Sequence, residues 1–311
     1  MVLSDNSLRS RIKVCVITVA YNTSQECELF LSSLWGSADT ASLDLSLIIV
    51  NNSQDENEAN QLDVIASAYD STKVIHSPDN VGYFRGINIG IKSICQQDLN
   101  AIDLMIVCNN DIIFPSQFFR QLAQSTDKLA PYSVICPQIV SSDGRYENPH
   151  VIAPASLMRE LLYTLYYSNI YLARTLILIQ SLFGEKARRL SVDDNQKFCR
   201  PFSIYQGYGA LYLLTRRYIK EHVCLPDQVF LMFEEFFLSE QIARHGDLPY
   251  FFPDLKVFHL GKASTGKMPK SFIYCHAKRS FLLYRKLIKV FGSSHSIAYK
   301  LALEYRSNYS S

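Results

Sequence analysis

The sequence predicts an α/β protein on a mainly parallel sheet, and three features predict it. Apolar runs of strand length recur early in the chain, segments of helical spacing separate them, and three of those runs end in small polar clusters. At 311 residues, 48% hydrophobic and 19% charged, the chain can bury the core of one large α/β domain or two smaller ones.

Residues 13–22, KVCVITVAYN, make the first strand, and SQECELFLSSLWG adds a capping serine, helical apolar spacing and a closing Gly36. LDLSLIIVNNS (43–53) repeats the strand and its polar ending. DENEANQLDVIASAYD reads as the next helix and STKVIHS as a short third strand. GYFRGINIGIKSICQQ reads as one helix leading to the fourth strand, LMIVCNND (104–111). Strands and helices alternating at this spacing imply right-handed parallel βαβ units. After Pro115 the pattern loosens. SVICPQIV (133–140) is a further strand, and YQGYGALYLLTRR (205–217) is a strand running into a helix start. Residues 150–200 read as a Tyr- and Leu-rich helical segment and a polar loop inserted over one face of the sheet. Within them, 161–183 is interrupted by Ser168, Asn169, Arg174 and Gln180, which are costly at membrane depth, so it reads as a helix at an interface and not as a span.

The eight cysteines stand singly, without a CxxC pair, and are expected to be reduced core thiols of a cytosolic protein. MVLSDNSLRSRIK lacks the apolar core of a secretory signal, so the chain is expected to stay in the compartment of its synthesis. Ten of the 31 Lys and Arg fall in residues 255–303, which contain no Asp or Glu, leaving the remainder acidic. With Phe272, Tyr274, Phe281, Tyr284 and Phe291 interleaved, that end suits phospholipid heads or a diphosphate-bearing acceptor, and a solvated basic helix face accounts for it equally. No nucleic-acid partner is expected.

The polar clusters are Ala20-Tyr21-Asn22, Asn51-Asn52-Ser53 and Asn109-Asn110-Asp111. In a parallel sheet they share the edge where open α/β folds bind ligands. One such cluster is explained as a turn, and Asn109–Asp111 suits a turn before a helix near Pro115. Three on one edge point to a nucleotide site, with Asp111 as a candidate metal ligand. Glu234-Glu235 opens a helix that closes at Gly246. Acidic residues favour a first turn through the helix dipole without any function. His259, after a strand, is ordinarily structural.

Together these residues resemble the inverting glycosyltransferases of family 2, over most of the chain. ITVAYN is similar to that family's opening strand ending in Thr-Tyr-Asn, with Ala20 for Thr. VNNS resembles its Val-Asp-Asn-x-Ser, with Asn51 replacing the aspartate that contacts the nucleobase. This leaves the base open, because an amide both donates and accepts. DNVGYFRGINIGI (79–91) resembles Asn-x-Gly-Phe-x-x-Gly-x-Asn-x-Gly through Asn80, Gly82, Gly86, Asn88 and Gly90, glycines that let backbone approach the donor. CNND stands where the family has Asp-x-Asp, reduced here to Asn109-x-Asp111. Glu234-Glu235 stands where it has Glu-Asp, and VFHLGKAST resembles Val-x-His-x-x-Gly-x-Ser through His259, Gly261 and Ser264.

The resemblance implies the GT-A α/β fold, a mixed, mainly parallel sheet with flanking helices. It implies a nucleotide-sugar half over 1–114, an acceptor and catalytic half over 115–265, and a basic helical extension over 266–311. Donor contacts fall to Tyr21, Asn22, Asn51, Asn52, Asn80, Gly82, Asn88, Asn109 and Asn110. A divalent metal, Mg2+ or Mn2+, falls to Asp111 with Asn109 and His259, and Lys262 and Lys267 are candidate phosphate partners. Glu235 is the implied general base, with Glu234 as runner-up or acceptor-hydroxyl ligand, and Phe237 replaces an aspartate on the acceptor side. The implied activity is metal-dependent inverting transfer from a UDP- or dTDP-sugar to a glycan or lipid-linked oligosaccharide hydroxyl, in cell-surface polysaccharide (O-antigen or capsule) biosynthesis. The place implied is the cytoplasm at the inner face of the plasma membrane, with Tyr163, Tyr166, Tyr167, Tyr171 and the basic helices as peripheral contacts. The departures at Ala20, Asn51, Asn109 and Phe237 sustain an alternative, a catalytically silent nucleotide-sugar-binding scaffold. A nucleotidyltransferase of similar fold needs a Gly-rich, Lys/Arg-bearing loop after the first strand, and AYNTSQE has none.

Overall fold

Strands as uniformly apolar as the first two must be covered on both faces, and that requirement sets the layers. The computed structural model describes residues 11–152, 157–178, 198–261, 269–290, 293–294, 297–298 and 300–301. β1 (Ile12–Ala20) lies between β2 (Leu43–Asn51) and β4 (Leu104–Asn109), with β3 (Thr72–His76) outside β2, all parallel. Helices α1 (Ser24–Gly36), α2 (Glu56–Ala66), α3 (Tyr83–Lys92) and α4 (Gln96–Ala101) form the crossovers.

The sheet continues through the second half in the order β3-β2-β1-β4-β8-β6-β9-β5, with β7 also on β9. Its further strands are β5 (Ile112–Ile113), β6 (Val134–Ser141), β7 (Phe202–Ser203), β8 (Leu211–Thr215) and β9 (Tyr250–His259). β8 runs antiparallel to both β4 and β6, whereas β6 and β9 are parallel, so the longer registers are parallel and the sheet is mixed. A small hairpin, β10 (Lys289–Val290) with β11 (Ser293–Ser294), stands apart.

Alternation along β1 divides the core. Val14 and Val16 face α1, α2 and α5 (Phe118–Leu129), while Cys15 and Ile17 face α3, α4, α8 (Arg216–His222) and α9 (Glu234–Ala243). A third cluster joins Val229, Phe233 and Phe237 to Phe281 and Tyr284 of α10 (Lys270–Leu287) and to Ile288 just beyond it, with Tyr163 and Tyr167 of α6 (Leu157–Ser168) against it. The Tyr167 ring stacks on Phe281 at 4.8 Å. Tyr163 and Tyr167 therefore serve this packing and are not offered outward, while Tyr171 is exposed and Tyr166 holds the Tyr274 hydroxyl through its carbonyl at 3.1 Å. Phe237 is a buried member of the same cluster, which accounts for an apolar residue there.

Three further readings are corrected. The helix expected over 82–97 is two, because the Ser93 hydroxyl donates back to Gly90 O (2.8 Å) and the Cys95 sulfur caps Asp98 N (3.4 Å), starting α4. The helix expected over 161–183 breaks at Asn169, whose side chain accepts from Tyr171 N at 2.8 Å and opens α7 (170–178). Cysteines 95, 199 and 275 are exposed, whereas Cys15, Cys27, Cys108 and Cys136 are buried as expected. No helix among the described residues is long and apolar enough to cross a membrane. Ser264, Lys262, Lys267 and Phe291 lie outside the described residues.

The two halves are fastened together at α3. Asn88 Nδ2 donates to Leu225 O and Leu225 N donates to Asn88 Oδ1, both at 2.9 Å and buried. Arg85 Nε donates to Asp227 O at 2.9 Å. Asn88→Ala leaves two buried backbone groups of Leu225 without partners, so denaturant unfolding is expected to show a loss of about 2–4 kcal/mol. A loss below about 0.5 kcal/mol, within the range of a neutral surface change, would contradict this account of Asn88.

Candidate active site

The site begins where β4 ends. After Asn109 the chain reverses through Asn110 and Asp111 directly into β5, which pairs with the end of β9 so that Ile112 lies opposite His259. Leu260 N donates to Asp111 O at 3.0 Å, closing the rim. The pairing brings Asp111 Oδ1 to 3.1 Å from His259 Nε2, with both side chains buried. The ring nitrogen is off the geometry of a hydrogen bond. A carboxylate oxygen and an imidazole nitrogen converging in this way form a donor set that fits a divalent cation.

The pair opens on a cavity of about 600 Å³. Tyr21, Asn52, Asn80, Gly82, Asn109 and Asn110 line it together with Asp111, His259, Glu234 and Glu235. Asn80 Oδ1 accepts from Gly82 N (3.1 Å) and Asn52 Nδ2 donates to Gly82 O (3.0 Å), while Asn52 Oδ1 is buried without a hydrogen-bond partner. Asn110 Nδ2 donates to Thr23 Oγ1 and Cys27 Sγ, which orients the turn carrying Asp111.

Three expected donor-contacting residues do not line this cavity. Asn51 Nδ2 bonds His76 Nδ1 at 3.1 Å while its Oδ1 accepts from Ser53 N at 2.9 Å, so both ends of the amide tie strand ends together. Asn22 adopts a left-handed backbone (φ 54°) and its Oδ1 accepts from the Ser53 hydroxyl. Asn88 is consumed by Leu225, as described above.

Glu234 and Glu235 open α9 immediately after Met232 and Phe233, both at positive φ (65° and 72°). Such backbone costs about 1–3 kcal/mol per residue, and burial of Phe233 in the aromatic cluster offsets it. The bend aims both carboxylates into the cavity. Glu234 is buried and Glu235 half-buried; the Gly209 N–H donates to the Glu235 carboxylate. Burial raises both above the ordinary carboxylate range, and the charge of Glu235 raises Glu234 further.

Sequence reasoning missed several cavity residues. The Tyr83 hydroxyl is buried without a hydrogen-bond partner, and burial, Cys108 and the nearby carboxylates keep it protonated. Tyr208 meets His259 edge-on at 5.8 Å and is pushed up to about 12 by burial, then by Glu147 and Glu235. Arg145 stands on the rim and pairs with Asp143 at 2.7 Å, across a turn whose Asp-Gly signature was readable. Tyr83 lay inside the quoted glycine motif. Gly209 has no signal of its own, because its importance is the space that it leaves for Glu235. The cavity wall thus carries five carboxylates, Asp111, Asp143, Glu147, Glu234 and Glu235, against Arg145 and His259. Such a wall carries more acidic than basic groups.

The family model described as glycosyl transferase family 2 matches residues 15–195, and the chain belongs to that family. A search of curated protein sequences finds no match. Among solved structures, the chain is similar to GalNAc-T7 crystallised with UDP, GalNAc and Mn2+, at TM-score 0.59 and 13% identity, over 89% of this chain and 49% of that one. It therefore spans about half the length of that relative. It is also similar to TarS 1–349 of S. aureus, at TM-score 0.52 and 11% identity over 91% of this chain and 76% of that one. The mannosyltransferase PcManGT from Pyrobaculum calidifontis, in complex with GDP-Man and Mn2+, matches at TM-score 0.50 and 12% identity, over 97% and 76%. At these identities the likeness is one of fold, and the fold is GT-A.

Two outcomes are expected from this geometry. A Cβ on Gly209 would stand 2.6 Å from Glu235 Oε1, so Gly209→Ala displaces the flexible carboxylate and spares the backbone. Turnover should fall about 100-fold with little change in thermal midpoint, as a displacement of about 1 Å in a reacting group can produce. Glu234 binds its proton more tightly folded than unfolded, so wild-type stability falls as pH rises from 4.5 toward neutrality. Glu234→Gln removes that slope, and thermal midpoints of the two proteins across pH 4.5–8 should diverge in the variant's favour as pH rises.

Proposed function

We propose that this chain is a metal-dependent inverting glycosyltransferase that moves a sugar from a nucleotide-diphospho-sugar to an acceptor hydroxyl. The observation that carries the reading is that the Asp111–His259 pair and the Glu234–Glu235 pair face one cavity of nucleotide-sugar size. Family membership and the Mn2+-bearing, nucleotide-bearing structures of two similar folds support it.

Asp111 and His259 would hold the cation, with Asn109 beside them. The bound cation supplies positive charge against the departing diphosphate. Tyr21, Asn52, Asn80, Gly82 and Asn110 line the donor end, and the free Oδ1 of Asn52 is an acceptor for a ligand N–H or O–H. The two glutamates take different roles because their surroundings separate them. Glu234, more deeply buried and facing a second carboxylate, keeps a proton and holds a hydroxyl. Glu235, stabilised as an anion by Gly209 N–H, accepts the proton of the acceptor as its oxygen bonds the anomeric carbon. The sugar–phosphate bond breaks on the opposite face, which inverts the centre. Tyr83 and Tyr208 remain protonated donors toward the sugar.

The donor is a UDP- or dTDP-sugar and the acceptor a glycan or lipid-linked oligosaccharide of cell-surface polysaccharide synthesis. The basic α10, together with exposed Leu161, Leu162, Leu165 and Tyr171 on α6 and α7, supports peripheral contact with an anionic membrane at the cytoplasmic face. Residues 1–114 supply the donor side, 115–265 the acceptor side and 266–311 the basic extension.

Thermal midpoints with UDP, dTDP and GDP, each with and without Mn2+, test the donor site by mass action. A shift is expected with UDP or dTDP that requires Mn2+ and disappears in Asp111→Ala. Glu235→Gln should keep the shift while transfer drops about 10²- to 10⁴-fold. Retention of more than about a tenth of the rate removes Glu235 from the role, because general-base catalysis is worth at least that much. A nucleotide shift without transfer or donor hydrolysis in wild type identifies the silent scaffold instead.

A further inference from the structure

We propose a second metal site, outside the cavity, formed by Glu221, His222 and His245 and suited to Zn2+ or a similar transition metal. The three side chains each bring one ligand atom within 4.8 Å of the others. Glu221 and His222 close the last turn of α8, and His245 follows the end of α9, so elements remote in sequence meet there.

The His222 side chain is only 6% exposed, yet its Nε2 is buried without a hydrogen-bond partner. That nitrogen is 3.8 Å from Glu221 Oε2, and its ring lies 4.6 Å from the ring of His245. The other groups nearby are committed. Arg217 Nε holds Glu221 Oε1 at 3.1 Å, which leaves Oε2 turned to His222. Asp247 accepts from Ser133 N (2.7 Å) and Leu248 N (2.9 Å), so this carboxylate serves the backbone. Two imidazoles and one carboxylate are a donor set for a borderline metal and a poor one for Mg2+ or Ca2+, which prefer oxygen. Zinc bonds of about 2.0–2.2 Å place ligands about 3.3–3.5 Å apart. Glu221 and His245 are exposed and can close that difference by rotation, with water in the fourth position. Glu234 and Ala243 stand at opposite ends of α9, about 13 Å apart by helix rise, and His245 lies beyond the far end, so this ion would be distinct from the one at Asp111.

Calorimetric titration with Zn2+ alone tests the proposal, using wild type and an Asp111→Asn/His259→Asn variant that lacks the cavity's ligands. The variant is expected to bind one equivalent, with a rise in thermal midpoint. His245→Asn and Glu221→Gln, both at exposed positions, should each weaken that binding at least tenfold in either background. Mg2+ should not compete. Absence of a stoichiometric zinc in the cavity variant overturns the site, and so does zinc binding unaffected by His245→Asn. If the cavity variant fails to fold, the stoichiometry of wild type against His245→Asn decides, with no loss of an equivalent overturning it.

Discussion

The short antiparallel pairing of β5 with the end of β9 is the contact on which the candidate site depends. It is a two-residue strand, yet it joins a turn near residue 110 to a strand end at 259 and thereby sets Asp111 against His259. Neither side chain is adapted to its burial by local sequence. Each is held by backbone pairing on a sheet whose order places β4 and β9 on opposite sides of β8 and β6.

The cavity's electrostatics follow from the same arrangement. Carboxylates from the ends of β4 and the start of α9 face one space, with little positive charge among the described residues to balance them. Burial makes each charge more costly, and protonation of one glutamate relieves part of that cost. The arrangement also separates two chemically identical residues: burial raises both, but Glu235 is relieved by the backbone N–H of Gly209, whereas Glu234 is raised further by its neighbour's charge.

Much of the first half was legible because polar residues interrupt apolar strands at one edge, and parallel registers align those edges: Ala20 lies opposite Asn51, Asn51 opposite His76, and Val19 opposite Asn109. Amides were the misleading signal. Asn51 and Asn88 have the same residue type and the same kind of place as Asn52 and Asn80, but their partners, His76 and Leu225, are visible only in three dimensions. Helix ends at Ser93 and Asn169 were missed because side-chain capping there competes with an otherwise unbroken apolar pattern. Gly209 and Tyr208 sit in a stretch that reads as strand, whereas the strand proper begins at Leu211.

The fastenings between α3 and residues 225–230 have one further consequence. Gly82 has no room for a Cβ because the Phe230 carbonyl would stand 2.3 Å from it, and Tyr83 N donates to that same carbonyl at 3.4 Å. With the ties from Asn88 and Arg85, this makes α3 and the segment leading into Glu234 one cooperative unit for local unfolding. Amide hydrogens on the two would exchange through a shared opening, with one opening free energy, although more than a hundred residues separate them in the chain. The two segments then order together, and the entropy of ordering is lost once for both.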